Sequence, residues 1–556
     1  MDALVFGATG FLGRSLVAEL LARGQRVAAA VRTDTLTPWL LDRGGDIGGL
    51  TLVTADIRHP LTGLPEVRDV YNTAGRYAFG LDATAARATN VTGALHVLEW
   101  AATLPELRRL VHISGYRVSA ATGEPDYARL GAYEASKFEG DLALRARAHQ
   151  LGVPLTIANP SAVIGPGQYI GPATLIEQLW GGRLPALPGG PDTFVPIVTV
   201  DYLAQFLPEI PGSPAGEHYW VLDDTTPALP ELIVTVAEHL GVPAPRGHIP
   251  VGLLRRLPRA LTGADPETLS FLSTDRYPTA SARALAADAG LEMPSAAVAL
   301  REWADELVAA RFGAAAPWLS PYGFHEVAGS RTWVIGERER PEYVLLHGLP
   351  MNADLWESLA AQLPGPVLAA DLPGQGRSSA APSVDAWLVD LLGPVRTRPV
   401  LIAHSAACAP ALRFAAEHPD RLGGLVLISP AFLQKPAGWL TRWSAPMLRR
   451  LSAERLARTL EIPGGEEVRS AAADLGRPGV ARRVLAALRA DIADRSRSRA
   501  LLDRVRVPVR IITGSLDPLT ATVDHPVIEI PGAGHYPQLT HPAEVATQVI
   551  SAVAIA

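Results

Sequence analysis

The chain has 556 residues, of which 48 % are hydrophobic and 19 % charged, and its net charge is −6. That length exceeds what one hydrophobic core fills, so two or three domains are expected, and the composition excludes a disordered chain. The acidic balance without a basic stripe excludes a nucleic-acid partner, and a single cysteine, Cys408, excludes a disulfide framework or a cysteine zinc site.

The first strand candidate begins almost at once, at Ala3, which leaves no room for a signal peptide. No apolar run reaches the ~18 residues of a membrane span. A soluble cytoplasmic protein is therefore expected, and abundant Ala, Arg, Gly and Pro point to a GC-rich bacterial source. No metal is called for by any motif. A homodimer, the commonest assembly among soluble oligomers, is compatible with this picture.

Strand candidates in the first third are Ala3–Phe6, Val27–Val31, Leu50–Thr54, Val70–Asn72, Arg109–Ile113 and Leu155–Ala158, with helical periodicity between them. In the first helix Leu12, Leu16, Val17, Leu20 and Leu21 share a face. Alternation of this kind predicts a Rossmann-type, doubly wound parallel sheet. Residues 165–312, richer in proline, read as a small substrate-binding part, which closes a first domain at 1–312.

Gly7-Ala8-Thr9-Gly10-Phe11-Leu12-Gly13 ends the first strand and opens a helix. Glycines there let the backbone approach a pyrophosphate, and the helix N-terminus offers free N–H groups. Arg32 follows the second strand, where an acid would suit NAD(H), so NADP(H) is favoured. Asp56, with Ile57 beside it, is placed to bind the adenine amine. Tyr133 and Lys137 share one helix face, and an ammonium near the phenol lowers its pKa toward that of a working acid/base.

As a set, these landmarks resemble the extended short-chain dehydrogenase/reductase family. The matching segments include Asn72-Thr73-Ala74-Gly75, Asn90-Val91-Thr92-Gly93, Val111-His112-Ile113-Ser114 and Asn159-Pro160-Ser161-Ala162-Val163. The resemblance covers about residues 1–300. It implies hydride transfer at a nicotinamide, Tyr133 as acid/base, Lys137 on the nicotinamide ribose, and cofactor contacts at Ala74, Gly75, Asn90 and Pro160. The family's usual Ser-Ser pair reads Ser114-Gly115 here. Either Ser114 serves, or Ser119 reaches in, or the hydroxyl is missing.

A break near Phe312 gives a linker at 313–323 and a second domain at 324–556. The alternating run Phe324–Glu337 reads as a hairpin, followed by strand candidates Tyr343–Leu346, Val367–Ala370, Val400–Ala403, Gly424–Ile428 and Val509–Thr513. Residues from about 430 to 503 are almost purely helical and read as a lid. Trp439 and Trp443 belong to it. Arg442, Arg449 and Arg450 read as a solvated face.

His404-Ser405-Ala406-Ala407, at a strand-to-helix junction, resembles the nucleophile elbow of the α/β-hydrolase superfamily, with alanine for both usual glycines. His347-Gly348-Leu349-Pro350 resembles its oxyanion loop, which implies the amides of Leu349 and Ala406 as oxyanion donors. Asp517 and His535 complete the order Ser, Asp, His used by this fold. Asp371 and His404 are expected to be structural.

These readings converge on an α/β protein with two reaction centres, acting on a small molecule with an apolar or acyl group. One centre reduces or oxidises with NADP(H); the other cleaves an ester, lactone or thioester. Alternatives are an acyltransferase in the second domain, and a non-redox epimerase/dehydratase or degenerate cofactor-binding domain in the first.

Overall fold

The computed structural model describes residues 1–75, 81–118, 123–254, 256, 269, 271–435 and 444–553. Ser119, Trp439, Arg442 and Trp443 lie outside the described residues. The chain forms two compact units. One comprises Met1–Ile176, Leu184–Val236 and Ala244–Glu306, and the other Glu177–Arg183, Ala237–Pro243 and Leu307–Ala556.

In the first unit seven strands form one sheet: β1 (Ala3–Phe6), β2 (Val27–Val31), β3 (Leu50–Thr54), β4 (Asp69–Asn72), β5 (Arg109–Ile113), β6 (Leu155–Pro160) and β7 (His218–Val221). Their order is β7-β6-β5-β4-β1-β2-β3, and all neighbours run parallel. β1 and β2 are buried along their whole length, which is why Ala3–Phe6 and Val27–Val31 read as unbroken apolar runs. Ala3 and Val5 enter one core while Leu4 and Phe6 enter the other. The order turns back between β1 and β4, so the segments following these strands diverge and open a crevice at their carboxyl ends. Helix α1 (Phe11–Ala22) leaves β1 at that crevice, and helix α2 (Ala132–Leu151) carries Tyr133 and Lys137. β7 is an addition to the expected strands, formed by the aromatic-rich His218-Tyr219-Trp220-Val221.

In the second unit the strands are β8 (Tyr322–Val327), β9 (Ser330–Gly336), β10 (Tyr343–Leu346), β11 (Val367–Ala370), β12 (Val400–His404), β13 (Gly424–Ile428), β14 (Val509–Gly514) and β15 (Val527–Ile530). Their order is β8-β9-β11-β10-β12-β13-β14-β15. β8 and β9 form the expected hairpin, turned by Ala328 and Gly329 at φ 44° and 77°, the twist that favours a two-residue loop. From β11 onward the pairing is parallel.

Helix α3 (Cys408–Glu417) follows β12. Between β13 and β14 the chain forms α4 (Ala453–Leu460), α5 (Glu466–Leu475) and α6 (Val480–Leu502). Leu456, Leu460, Val468, Leu475, Val484 and Leu488 from these helices share one apolar core with Leu349, Met351 and Tyr536. Arg449 and Arg450 are exposed, as a solvated face requires.

A buried ionic cluster ties this helical insertion to the sheet. Arg311 Nη2 lies 3.0 Å from Asp354 Oδ2 and 3.2 Å from Asp474 Oδ2 of α5. Arg377 Nη1 reaches Asp354 Oδ1 at 3.1 Å, and Asn352 Nδ2 donates to Ser470 Oγ and Asp474 Oδ2 at 2.7 Å each. Burial opposes both charges, yet the guanidinium groups hold the Asp354 and Asp474 carboxyls below their ordinary range. Arg311→Ala leaves two carboxylates buried side by side. It is expected to cost about 3–5 kcal/mol of unfolding free energy, read from the denaturant midpoint of the second unit. A loss below about 1 kcal/mol would mean the cluster is no more than surface-like.

Candidate active sites

The glycine turn after β1 tolerates no side chains at its close approaches. A Cβ on Gly7 would sit 2.7 Å from Ala74 N, and one on Gly13 would sit 2.1 Å from Gly7 O. No side chain caps α1 at Gly10, so the amides of Phe11, Leu12 and Gly13 have no intrahelical acceptor and face outward from the helix end. Gly10, Phe11, Leu12, Gly13, Gly75, Ser114, Tyr133, Lys137 and Pro160 line one cavity of about 440 Å³. The residues present thus fit a dinucleotide laid across the β1–β4 crevice.

Lys137 Nζ donates to Ile113 O at 2.9 Å. The expected lowering of the phenol is not what the structure gives. Burial pushes Tyr133 up to about 12, with Glu134 adding to the shift, and burial pushes Lys137 down to about 8. For Lys137 desolvation outweighs the opposing pull of Asp141. Ser114 is 5 % exposed, and no hydrogen-bond partner among the described residues reaches its Oγ.

Outside the cavity lining, Asn90 Nδ2 donates to Ser136 Oγ at 2.9 Å, and Ala74 N donates to Asn72 Oδ1 at 3.2 Å, which holds the β4 turn. Gly7 and Thr9 belong to the β1 turn itself. Arg32 is exposed at the end of β2. Asp56 is engaged by Arg58, whose guanidinium pairs with it and pulls its carboxyl well below the ordinary range, with Arg32 contributing. His96 Nδ1 meets Ile57 O at 2.8 Å. Sequence reasoning missed Arg58 and the pair of Arg117 Nη1 with Glu134 Oε1, 3.3 Å apart in the cavity wall. The signal for the first was its place two residues after Asp56; the second brings together positions 17 apart.

In the second unit Ser405 sits at the β12-to-α3 turn with φ 52°, a left-handed conformation for a side-chain-bearing residue. His535 Nε2 lies 2.9 Å from Ser405 Oγ, and His535 Nδ1 lies 2.6 Å from Asp517 Oδ2. Leu349, Ser405, Asp517 and His535 share a cavity of about 260 Å³. Ala406 lies in the helical turn Ser405–Ala407 that opens α3, where amides lack intrahelical acceptors. Gly348 passes so close to the elbow that a Cβ would meet His404 Nδ1 at 2.4 Å and Ser405 Cβ at 2.8 Å.

His404 and Asp371 hold this frame together. His404 Nε2 bonds His535 O at 2.9 Å, and burial pushes the imidazole down, so it donates as a neutral ring. Asp371 accepts from Ala353 N at 2.7 Å and Arg377 N at 2.6 Å, and burial raises its carboxyl to about 7. Sequence reasoning missed Gln434, whose Nε2 donates to Asp517 O at 2.7 Å and to Thr513 Oγ1 at 3.1 Å, clamping the loop that carries the acid.

Residues 3–180 match the model of the NAD dependent epimerase/dehydratase family, and residues 343–548 match that of the alpha/beta hydrolase family. The chain is 30 % identical over 283 residues to sterol demethylase protein B of Methylococcus capsulatus, covering 46 % of this chain and 79 % of that protein. It is 28 % identical over 242 residues to the pimeloyl-(acyl-carrier protein) methyl ester esterase of Aromatoleum aromaticum, covering 38 % of this chain and 97 % of that protein. Among solved structures it is similar to the Bordetella bronchiseptica enzyme WbmF in complex with NAD+, at 18 % identity and a TM-score of 0.43, over 56 % of this chain and 93 % of that one. The chain belongs to both families, as a fusion of an epimerase/dehydratase-like domain with an alpha/beta hydrolase domain that has esterase relatives. No helix among the described residues is long and apolar enough to cross a membrane.

Gly348→Ala forces the elbow or its facing loop to move. The rate at which a fluorophosphonate labels Ser405 is expected to fall roughly 100-fold, with far-ultraviolet circular dichroism retained. Unchanged labelling would show that the loop has room to yield.

Proposed function

We propose that this chain is a bifunctional enzyme. Its first unit reduces or oxidises a carbonyl/alcohol with NADP(H), and its second cleaves an ester, lactone or thioester, as consecutive steps of one bacterial, secondary-metabolic pathway. The observation that carries the reading is the unbroken relay from Asp517 through His535 to Ser405, in a chain that also sets Tyr133, Lys137 and Ser114 around a glycine-turn cavity.

In the hydrolase, His535 Nε2 takes the Ser405 proton as Oγ attacks the acyl carbon, and later returns a proton to the leaving group. Asp517 fixes the tautomer with the proton on Nδ1 and favours the imidazolium. The amides of Leu349 and Ala406 receive the developing oxyanion, each worth about 3 kcal/mol. Water then attacks the acyl-enzyme with His535 as base. The methyl ester esterase among the relatives supports an acyl ester as the substrate class.

In the first unit the bound nicotinamide supplies or accepts the hydride. Tyr133 transfers the proton at the substrate oxygen, and Ser114 Oγ, which no described residue partners, orients that oxygen. Lys137 holds the ribose side. Arg32, with Arg58 beside Asp56, favours the 2′-phosphate of NADP(H). Domain limits of 1–312 and 324–556, joined by 313–323, serve this division of labour.

Ser405→Ala is expected to lower ester hydrolysis by ~10⁴–10⁶-fold and leave NADPH consumption intact. Tyr133→Phe is expected to lower carbonyl reduction by ~10²–10⁴-fold and leave hydrolysis intact. NADPH that binds but is never consumed against a carbonyl panel would replace the redox step with a non-redox use of the cofactor. NADPH affinity is expected to fall several-fold as pH rises through about 8, where Lys137 loses its proton, when measured by cofactor fluorescence. For the free protein the sign is opposite. The unfolded chain keeps this proton up to its ordinary 10.5, so between about 8 and 10.5 the Lys137 contribution to stability rises with pH.

A further inference from the structure

In a chain of net charge −6, the helical insertion of the second unit gathers three arginines around one open space. Arg450, Arg455 and Arg458 line a cavity of about 650 Å³ with Met447, Leu451 and Thr459. Arg455 and Arg458 are three apart on α4 and so stand on one helix face. Among the described residues no carboxylate pairs with any of the three guanidinium groups, and no acceptor is hydrogen-bonded to them. Glu454, one turn before Arg458, forms no ion pair with it. Neighbouring arginines are treated otherwise. Arg449 Nε donates to Gly476 O at 3.0 Å, and Arg469 Nη2 pairs with Glu466 Oε2 at 2.5 Å.

Like charges on one helix face repel unless a counter-charge comes between them. Three open guanidinium forks suit a ligand with several charged oxygens, and a phosphate offers more of them than a carboxylate. Met447, 55 % exposed, and Leu451 add apolar surface, so the ligand joins a phosphate to a hydrocarbon portion. Thr459 stands in the wall of this cavity and also in that of the cavity before Ser405. The smaller cavity has no surplus of positive charge, because Glu461, Asp491 and Asp517 oppose Lys435 and Arg495. Its charge does not select a phosphate, whereas its Leu349, Leu460 and Leu488 suit an acyl chain.

We propose that the hydrolase takes an acyl thioester whose leaving group carries a phosphate, held by Arg450, Arg455 and Arg458 while the acyl carbon lies at Ser405. This rests on the hydrolase reading above. Ser405 Oγ bonds to the acyl carbon, the carbon–sulfur bond breaks, and His535 passes the serine proton to the sulfur. Water then cleaves the acyl-enzyme, so the products are a carboxylic acid and a thiol that keeps its phosphate.

The test uses the full chain and one medium-length acid as its pantetheine, 4′-phosphopantetheine and coenzyme A thioesters. The phosphopantetheine thioester is expected to exceed the pantetheine thioester by at least ~10-fold in kcat/KM, mostly through KM, with the ratio shrinking as salt is raised. The double variant Arg455→Ala/Arg458→Ala is expected to bring that ratio toward one, and Arg469→Ala, whose charge lies outside the cavity, to leave it unchanged. A coenzyme A thioester as good as the phosphopantetheine one supports the proposal with the free coenzyme as source. A coenzyme A thioester that is markedly worse supports it with a carrier-bound arm as source. Equal rates with and without phosphate overturn the proposal, as does a ratio that ignores the double variant or falls equally with Arg469→Ala. Thioesters left intact by a chain whose Ser405 still reacts with fluorophosphonate overturn this inference alone. Ser405 inert to fluorophosphonate, with no acyl compound cleaved, overturns the hydrolase reading as well.

Discussion

Both candidate sites depend on one constraint: at the carboxyl end of a parallel strand, the chain must turn into a helix with almost no room for side-chain atoms. After β1, the missing Cβ atoms of Gly7 and Gly13 let the turn close against the β4 segment and leave three helix amides facing outward. After β12, the same junction is made with Ser405 at positive φ, and the space is found instead at Gly348 on the facing loop. The two units solve one geometric problem with different residues. In the first the backbone itself is the proposed binding surface. In the second the strained turn sets the Ser405 hydroxyl beside His535.

Burial sets the electrostatics of both centres, and its outcome depends on whether a partner is present. Asp354 and Asp474 are deeply buried but stay ionised because Arg311 and Arg377 are equally buried beside them. At Lys137 and Tyr133 burial prevails, and desolvation shifts both toward their neutral forms. A neutral phenol is the form that the proposed proton transfer from Tyr133 needs. Asp491 of α6 stands between these cases: burial raises its carboxyl to about 6 against the pull of Arg495 and Arg413.

Most of the architecture was legible in the chain because parallel strands buried on both faces are continuous apolar runs bounded by turn residues. Strands β1, β2, β3, β5, β10, β11 and β13 have the expected ends, and β4, β6, β12 and β14 are longer than expected by one or two residues. Two edge strands escaped, β7 and β15. An edge strand is short and part exposed, so its pattern competes poorly with that of a loop. In β15, Val527 and Glu529 are exposed while Ile530 is buried, a weak alternation over four residues. Within the sites, residues announced by a glycine turn or a strand-to-helix junction were readable, as Gly7, Tyr133 and Ser405 show. Gln434, Asp491 and the Arg117–Glu134 pair carry no local signature.

The sequence by itself determined the two fold families, the identity of the turn glycines, and the order of Ser405, Asp517 and His535, because backbone sterics and strand periodicity are local properties written in adjacent residues. Only the tertiary structure decided that Ser405 and His535, 130 positions apart, meet at 2.9 Å, that Asp56 is occupied by Arg58, and that burial raises rather than lowers the Tyr133 phenol. Distances and desolvation arise from what folding brings around a group, and no stretch of neighbouring letters encodes that environment.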